Sequence, residues 1–211
     1  MTQPSAADLL ALHAVRLLGF ADTPAVARRF TLDPAATAEL LLDAQAYGWV
    51  SHAQFADLRG WSLTESGRAR DEALLADELD RTGARAAVRD VHAAFLPLNA
   101  RLRQACTDWQ LRPSPADRLT TNDHTDPAWD ARVLADLAAV GTGLAPLAER
   151  LAGVLARFAG YDERYGAALR RAAAGEARWV DGTDVDSCHR VWFELHEDLV
   201  ATLGTGRHAE A

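Results

Sequence analysis

The 211-residue chain contains no lysine, so arginine carries every fixed positive charge. With alanine abundant, that absence reads as the codon bias of a GC-rich genome, and arginine by itself does not mark phosphate recognition here. Cysteine is scarce. Cys106 and Cys188 stand alone without CxxC spacing, which argues against a disulfide framework and predicts two free thiols in a reducing compartment. No unbroken apolar run approaches the roughly 18 residues that span a bilayer. Met1 to Asp8 has neither the basic start nor the apolar core of a secretory signal. These absences predict a cytoplasmic protein with no membrane partner. No segment repeats at a fixed period.

What is present is an apolar fraction of 49% and a net charge of -8, enough hydrophobic material for a real core in one large or two small domains. Leu9, Leu10, Leu12, Val15, Leu17 and Leu18 form a broad helical stripe that Gly19 ends. Thr23-Pro24 reads as a cap and first helical position, with Val26, Ala27 and Phe30 inward. Asp33-Pro34 opens a third helix running to Tyr47, with Ala36, Leu40, Leu41 and Ala44 at core spacing, and Gly48 stops it. Two short helices joined by a short turn have the proportions of a helix-turn-helix. Trp49-Val50-Ser51 and residues 61–63 then read as paired strands around a polar tip, Gln54 to Gly60. A further helix starts at Thr64.

The run Trp61-Ser62-Leu63-Thr64-Glu65-Ser66-Gly67-Arg68 resembles the strand-to-helix junction LT-x-x-GR of winged-helix regulators such as the MarR and PadR groups. The expectation for residues 1–80 is therefore a winged helix-turn-helix with a two-stranded wing, and the fold class is mainly α. From Arg81 the pattern becomes long helices: 84–109, with Pro97 predicted to kink or split it, then 129–140, 143–158, 161–174 and 185–203. Glycine-bearing breaks at Gly141, Gly160 and 175–182 separate the later ones. Residues 81–211 are thus read as an α-helical ligand-binding and dimerisation domain, with a long polar loop from Leu111 to Trp129.

In a helix-turn-helix the second helix of the motif presents its N-terminal residues to base edges. Here that helix exposes Asp33, Ala35, Thr37, Ala38, Glu39 and Asp43, none of them basic. Residues 1–80 hold twelve acidic and six basic side chains, a net of -6, whereas duplex readers show a basic stripe. The candidate DNA contacts are Arg28, Arg29, Thr37 and Arg59. The alternative is a winged helix kept as a scaffold that no longer touches nucleic acid.

The helical part is rich in side chains that make sites. Cys106-Thr107-Asp108-Trp109-Gln110 ends its first helix. Asn122-Asp123-His124-Thr125-Asp126, with Trp129 and Asp130, occupies the loop. The last helix carries His189, Trp192, Phe193, Glu194, His196 and Asp198. On a 3.6-residue period His189, Phe193, His196 and Val200 share a face, beside Trp192, and could wall a ligand pocket. The candidate ligand residues are Trp109, Asn122, Asp123, His124, His189, Trp192, Phe193 and His196. An enzymatic reading would give acid–base roles to His124, His189 and His196. The spacings match no zinc or di-iron motif, no nucleophile elbow and no dinucleotide loop, so neither metal nor cofactor is expected. Carboxylate–His bonds that merely pin the loop to the last helix are the structural alternative.

The runs CTDWQ, NDH-x-D and DS-x-H-x-VWFELHEDL resemble a group of actinobacterial proteins labelled MarR-like regulators, in which a winged helix precedes such a domain. Cys188 stands where that group has Tyr. The resemblance implies a one-component transcriptional regulator, a homodimer that binds double-stranded DNA and senses an unidentified small molecule.

Overall fold

The structure, a computed structural model, describes residues 2–55, 58–114 and 117–205. It is mainly helical with one two-stranded antiparallel sheet. Two compact units are present. The first comprises residues 2–86, 154–157 and 196–205 of those described, and the second residues 87–153 and 158–195.

The first unit begins with α1 (Ala7–Leu18), α2 (Thr23–Arg29) and α3 (Pro34–Ala46). Asp22, not Thr23, caps α2, its carboxylate accepting from the Ala25 amide at 2.8 Å. Thr23 is released to accept a bond from the Trp61 indole at 2.9 Å. Asp33 caps α3 in the same way, at 2.8 Å from the Ala36 amide. The inward face of α3 is Thr37, Leu41 and Ala44, the i, i+4, i+7 set, while Ala36 is exposed. Leu12, Val15, Val26, Leu41, Val50 and Trp61 form the hydrophobic centre of this unit.

Strands β1 (Val50–Phe55) and β2 (Leu58–Leu63) pair antiparallel with Val50 opposite Leu63 and Gln54 opposite Arg59. The hairpin is therefore longer than the sequence indicates. Gln54, Arg59 and Gly60, read as tip, belong to the ladder, and residues 56–57 lie outside those described. Residues 51–54 are all exposed, so no apolar alternation marked their pairing.

Helix α4 (Glu65–Thr82) leaves the sheet through a tight junction. Thr64 accepts from the Gly67 amide at 3.0 Å and its hydroxyl donates to the Gly48 carbonyl at 2.6 Å. Gly67 is required by sterics: a Cβ there would overlap the Trp49 carbonyl oxygen and lie 2.7 Å from its carbon. Because the obstruction is backbone, Gly67→Ala is expected to lose roughly 1–3 kcal/mol of stability in urea unfolding. An unchanged midpoint would contradict that packing.

In the second unit α5 (Arg85–Gln110) runs through Pro97 without splitting. Pro97 and Ala93, whose carbonyl the proline deprives of its partner, are both exposed, so water can satisfy the lost bond. Helix α6 (Pro127–Ala152) likewise runs through Gly141 and Gly143 as one helix, not two. The two glycines admit neighbours: a Cβ at 141 would meet the Tyr165 ring at 3.0 Å, and one at 143 would meet Leu98 at 2.9 Å. An 18-residue window of α6 reaches a mean hydropathy of 1.3, enough by length and composition to cross a bilayer. Polar residues interrupt that stretch, so it holds no continuous apolar run. Val133, Leu137, Val140 and Leu144 of α6 are buried.

A 3-10 turn (Ala156–Phe158), α7 (Tyr161–Ala173), α8 (Arg178–Asp181) and α9 (Cys188–Leu203) complete the chain. Trp192 is core: it stacks on Phe95 at 4.6 Å, meets Tyr165 edge-on at 5.9 Å and donates to Asn99 at 2.9 Å. Cys106 and Cys188 are free and buried, and burial pushes both thiols up to about 12, where they stay protonated and inert.

Candidate functional site

The loop between α5 and α6 is tied back on itself. The Asn122 amide donates to the Gln110 carbonyl at 2.8 Å and the Arg112 amide to Thr120 at 2.8 Å. This brings Asn122 and His124 against Trp109 at the end of α5. Asn122 is buried, and its Nδ2 donates both protons, to the Trp109 carbonyl at 3.0 Å and to Asp130 at 2.9 Å. No proton remains for His124 Nδ1, 3.2 Å away. His124 Nδ1–H therefore donates to the other oxygen of Asp130 at 3.0 Å.

That bond places a proton on Nδ1 and fixes the orientation of the ring, which is tilted against Trp109 at 4.5 Å. His124 holds a left-handed φ of 56°, with its amide donating to Asn122 Oδ1 at 3.2 Å. Trp109, Gln110, Thr121, Asn122, His124 and, from α8, Arg178 and Asp181 line a shallow depression of about 300 Å³. Gln110 donates to Asp181 at 2.7 Å and fixes one rim.

Of the residues expected to form a pocket, the structure thus brings together Trp109, Asn122 and His124. Asp123 is exposed, and its carboxylate accepts from the Thr125 hydroxyl at 2.7 Å and amide at 3.1 Å. Those bonds hold it below the usual carboxylate range, and it turns a loop without lining the depression. His189 and Phe193 are exposed and Trp192 is core, so the expected wall on α9 does not form. His196 is part-exposed and belongs to the first unit.

The reason is that the inward stripe of α9 carries carboxylates. Glu194 is buried and receives Arg164 at 2.8 Å, and Asp198 is buried four residues on. The acidic face turns inward and the His189/Phe193 face outward, because a buried carboxylate is tolerated where an arginine pairs with it.

Asp198 belongs to a buried ionic cluster in the first unit that composition did not signal. His13 on α1 is fully buried, with Nδ1 at 3.3 Å from Asp71 of α4 and Nε2 at 3.1 Å from Asp198. Arg157 donates to Glu78 at 2.9 Å, to Asp198, and to the Thr202 hydroxyl at 2.7 Å. Arg16 donates to Glu197 at 2.8 Å and to Glu72 at 2.9 Å. Both His13 nitrogens face acceptor-only groups, so the ring is an imidazolium. Burial alone would favour the neutral ring, but Asp71 and Asp198 outweigh it and hold the pKa above 6.5. Burial would raise Asp198, yet Arg157 and His13 hold its carboxyl far below the usual range. Two signals were available in the sequence: a histidine inside the apolar stripe of α1, and Asp71 and Glu78 seven apart on α4.

The expected DNA contacts are dispersed. Arg28 and Arg59 are exposed. Arg29 is half-buried with its guanidinium 4.5 Å over the Phe30 ring. Thr37 is fully buried and donates to the Asp33 carbonyl at 2.8 Å, so it presents nothing to a base edge. Among the described residues no group of three or more His, Cys, Asp or Glu side chains is placed to hold a metal. No family model matches the chain, and no curated protein or solved structure shows significant similarity to it.

Proposed function

We propose that residues 1–80 are a winged helix-turn-helix and that the protein is a cytoplasmic one-component transcriptional regulator. It would bind duplex DNA as a homodimer and sense a small molecule at the Trp109–Asn122–His124 depression. The observation that carries the reading is the order α1–α2–α3 followed by a two-stranded hairpin and α4, with α2 and α3 joined by residues 30–33. The depression adds a second function to that scaffold: an oriented imidazole, a buried amide and an indole ring in one concavity.

With Arg28 and Arg59 of each protomer on phosphates, log K against log salt should fall with a slope of about -4. Fluorescence anisotropy on the duplex upstream of the protein's own gene measures it. The double variant Arg28→Ala/Arg59→Ala should bring the slope toward zero and weaken binding at least tenfold. No binding to any genomic fragment at low salt would sink the proposal.

A second reading has an observation of its own. Helix α3 carries no basic residue and Thr37 is buried, which favours a scaffold that binds or converts a small molecule without DNA. His124 would then be the acid–base group, oriented by Asp130, and His124→Gln would abolish turnover with the fold intact.

A further inference from the structure

The first unit has a cavity of its own, about 220 Å³, between α1, α3, α4 and the turn that precedes β1. Its floor is apolar: Leu41 is fully buried, and Leu12, Leu40 and Leu74 stand beside it. Its lip is aromatic. Tyr47 stacks on Trp49 at 4.7 Å with 20° between the rings, although Tyr47 is 69% exposed.

Three charged side chains line the same space and make no ion pair among the described residues: Arg70, Asp8 and Asp43. The Arg70 guanidinium lies 5.0 Å from the Trp49 ring, and its Nε is buried with no hydrogen-bond partner. A desolvated donor left unsatisfied is costly, and an acceptor delivered by a ligand would relieve it.

We propose that this cavity binds a small aromatic zwitterion, of the aromatic amino-acid class. The aromatic body would lie on the leucines and the Tyr47–Trp49 lip, the carboxylate on Arg70, and the ammonium toward Asp8 and Asp43. The volume suits it, since a cavity of about 150 Å³ holds a bare benzene ring, and the surplus accommodates a short polar substituent. The charge pattern selects the zwitterion. A simple acid would satisfy Arg70 but face two carboxylates, and a simple amine would satisfy the carboxylates but face the guanidinium. Neither the depression in the second unit nor DNA binding enters this assignment.

Isothermal titration of the full chain with L-phenylalanine and L-tryptophan tests it, alongside 3-phenylpropionate, which lacks the ammonium, and phenethylamine, which lacks the carboxylate. At least one amino acid should bind saturably, and both truncated probes at least tenfold more weakly. Arg70→Gln should weaken the amino acid at least tenfold while leaving the urea midpoint close to wild type, because Arg70 makes no hydrogen bond or ion pair among the described residues and its one contact, with the Trp49 ring, is weak. Asp43→Asn should narrow the preference over 3-phenylpropionate. The proposal is overturned if neither amino acid binds saturably, if Arg70→Gln leaves affinity unchanged, or if 3-phenylpropionate binds as tightly as the amino acids.

Discussion

Replacing Arg157 by alanine should cost about 3–5 kcal/mol of stability, the largest loss expected for any single substitution discussed for this chain. Arg157 is buried and donates to Glu78, Asp198 and Thr202, three partners that are themselves 1% exposed or less. The favourable part of that arrangement is modest, because removing three charges from water opposes most of their attraction. Removing one partner is different. The truncated chain must still bury Glu78 and Asp198, now with no guanidinium between them, and cannot hydrate either. Arg157→Lys should recover only part of the loss, since an ammonium is one point charge and cannot span three acceptors in the guanidinium plane. Thr202→Val, which removes a neutral hydroxyl, should cost about 1 kcal/mol. Urea unfolding of the three variants gives the order. A loss below 1 kcal/mol for Arg157→Ala would mean that the cluster is solvated.

Stability should also fall as pH rises above 6.5, by up to about 1.4 kcal/mol per pH unit until the folded-state pKa of His13 is passed. The His13 pKa is raised in the folded chain, so its contribution is complete below the unfolded value of 6.5 and is lost on deprotonation. Asp198 acts in the opposite sense. Its folded pKa is lowered from 3.8, so its contribution is complete above that value and disappears on strong acidification. The two together place the maximum between about pH 4 and pH 6.5. His13→Gln should flatten the alkaline slope while keeping the part of the acid limb that Arg157 supplies. The two-dimensional NMR signals of the His13 ring give the same pKa without any substitution. A wild-type profile flat from pH 6.5 to 9, or an equal slope in His13→Gln, would refute the assignment.

Much of the first unit was legible because its punctuation is local. Gly19, Asp33-Pro34 and Gly48 stop and start helices through backbone conformation and capping, which need no knowledge of the rest of the chain. The full length of the hairpin was hidden by strands exposed from residue 51 to 54, where periodicity carries no information. Gly141 and Gly143 misled for the converse reason: their role is to admit Tyr165 and Leu98, which only tertiary packing reveals. In the candidate site, Trp109, Asn122 and His124 were recognisable by type, and sequence adjacency brought the last two together. The face of α9 was misread because hydrophobic patterning treats Glu194 and Asp198 as outward. Their burial depends on Arg164 and Arg157, arginines far away in the sequence.

The ionic cluster also bears on the order of events during synthesis. His13, Asp71 and Glu78 leave the ribosome early, but Arg157 and Asp198 arrive only after much of the chain has been made. At roughly 5–20 residues per second, the 120 positions that separate Glu78 from Asp198 take on the order of 10 s. Asp71 and Glu72 can meet His13 and Arg16 early, but Glu78 lacks its guanidinium until Arg157 has been made. The last ion pairs of the cluster therefore form in a late, long-range step, after the apolar centre of the same unit has been made.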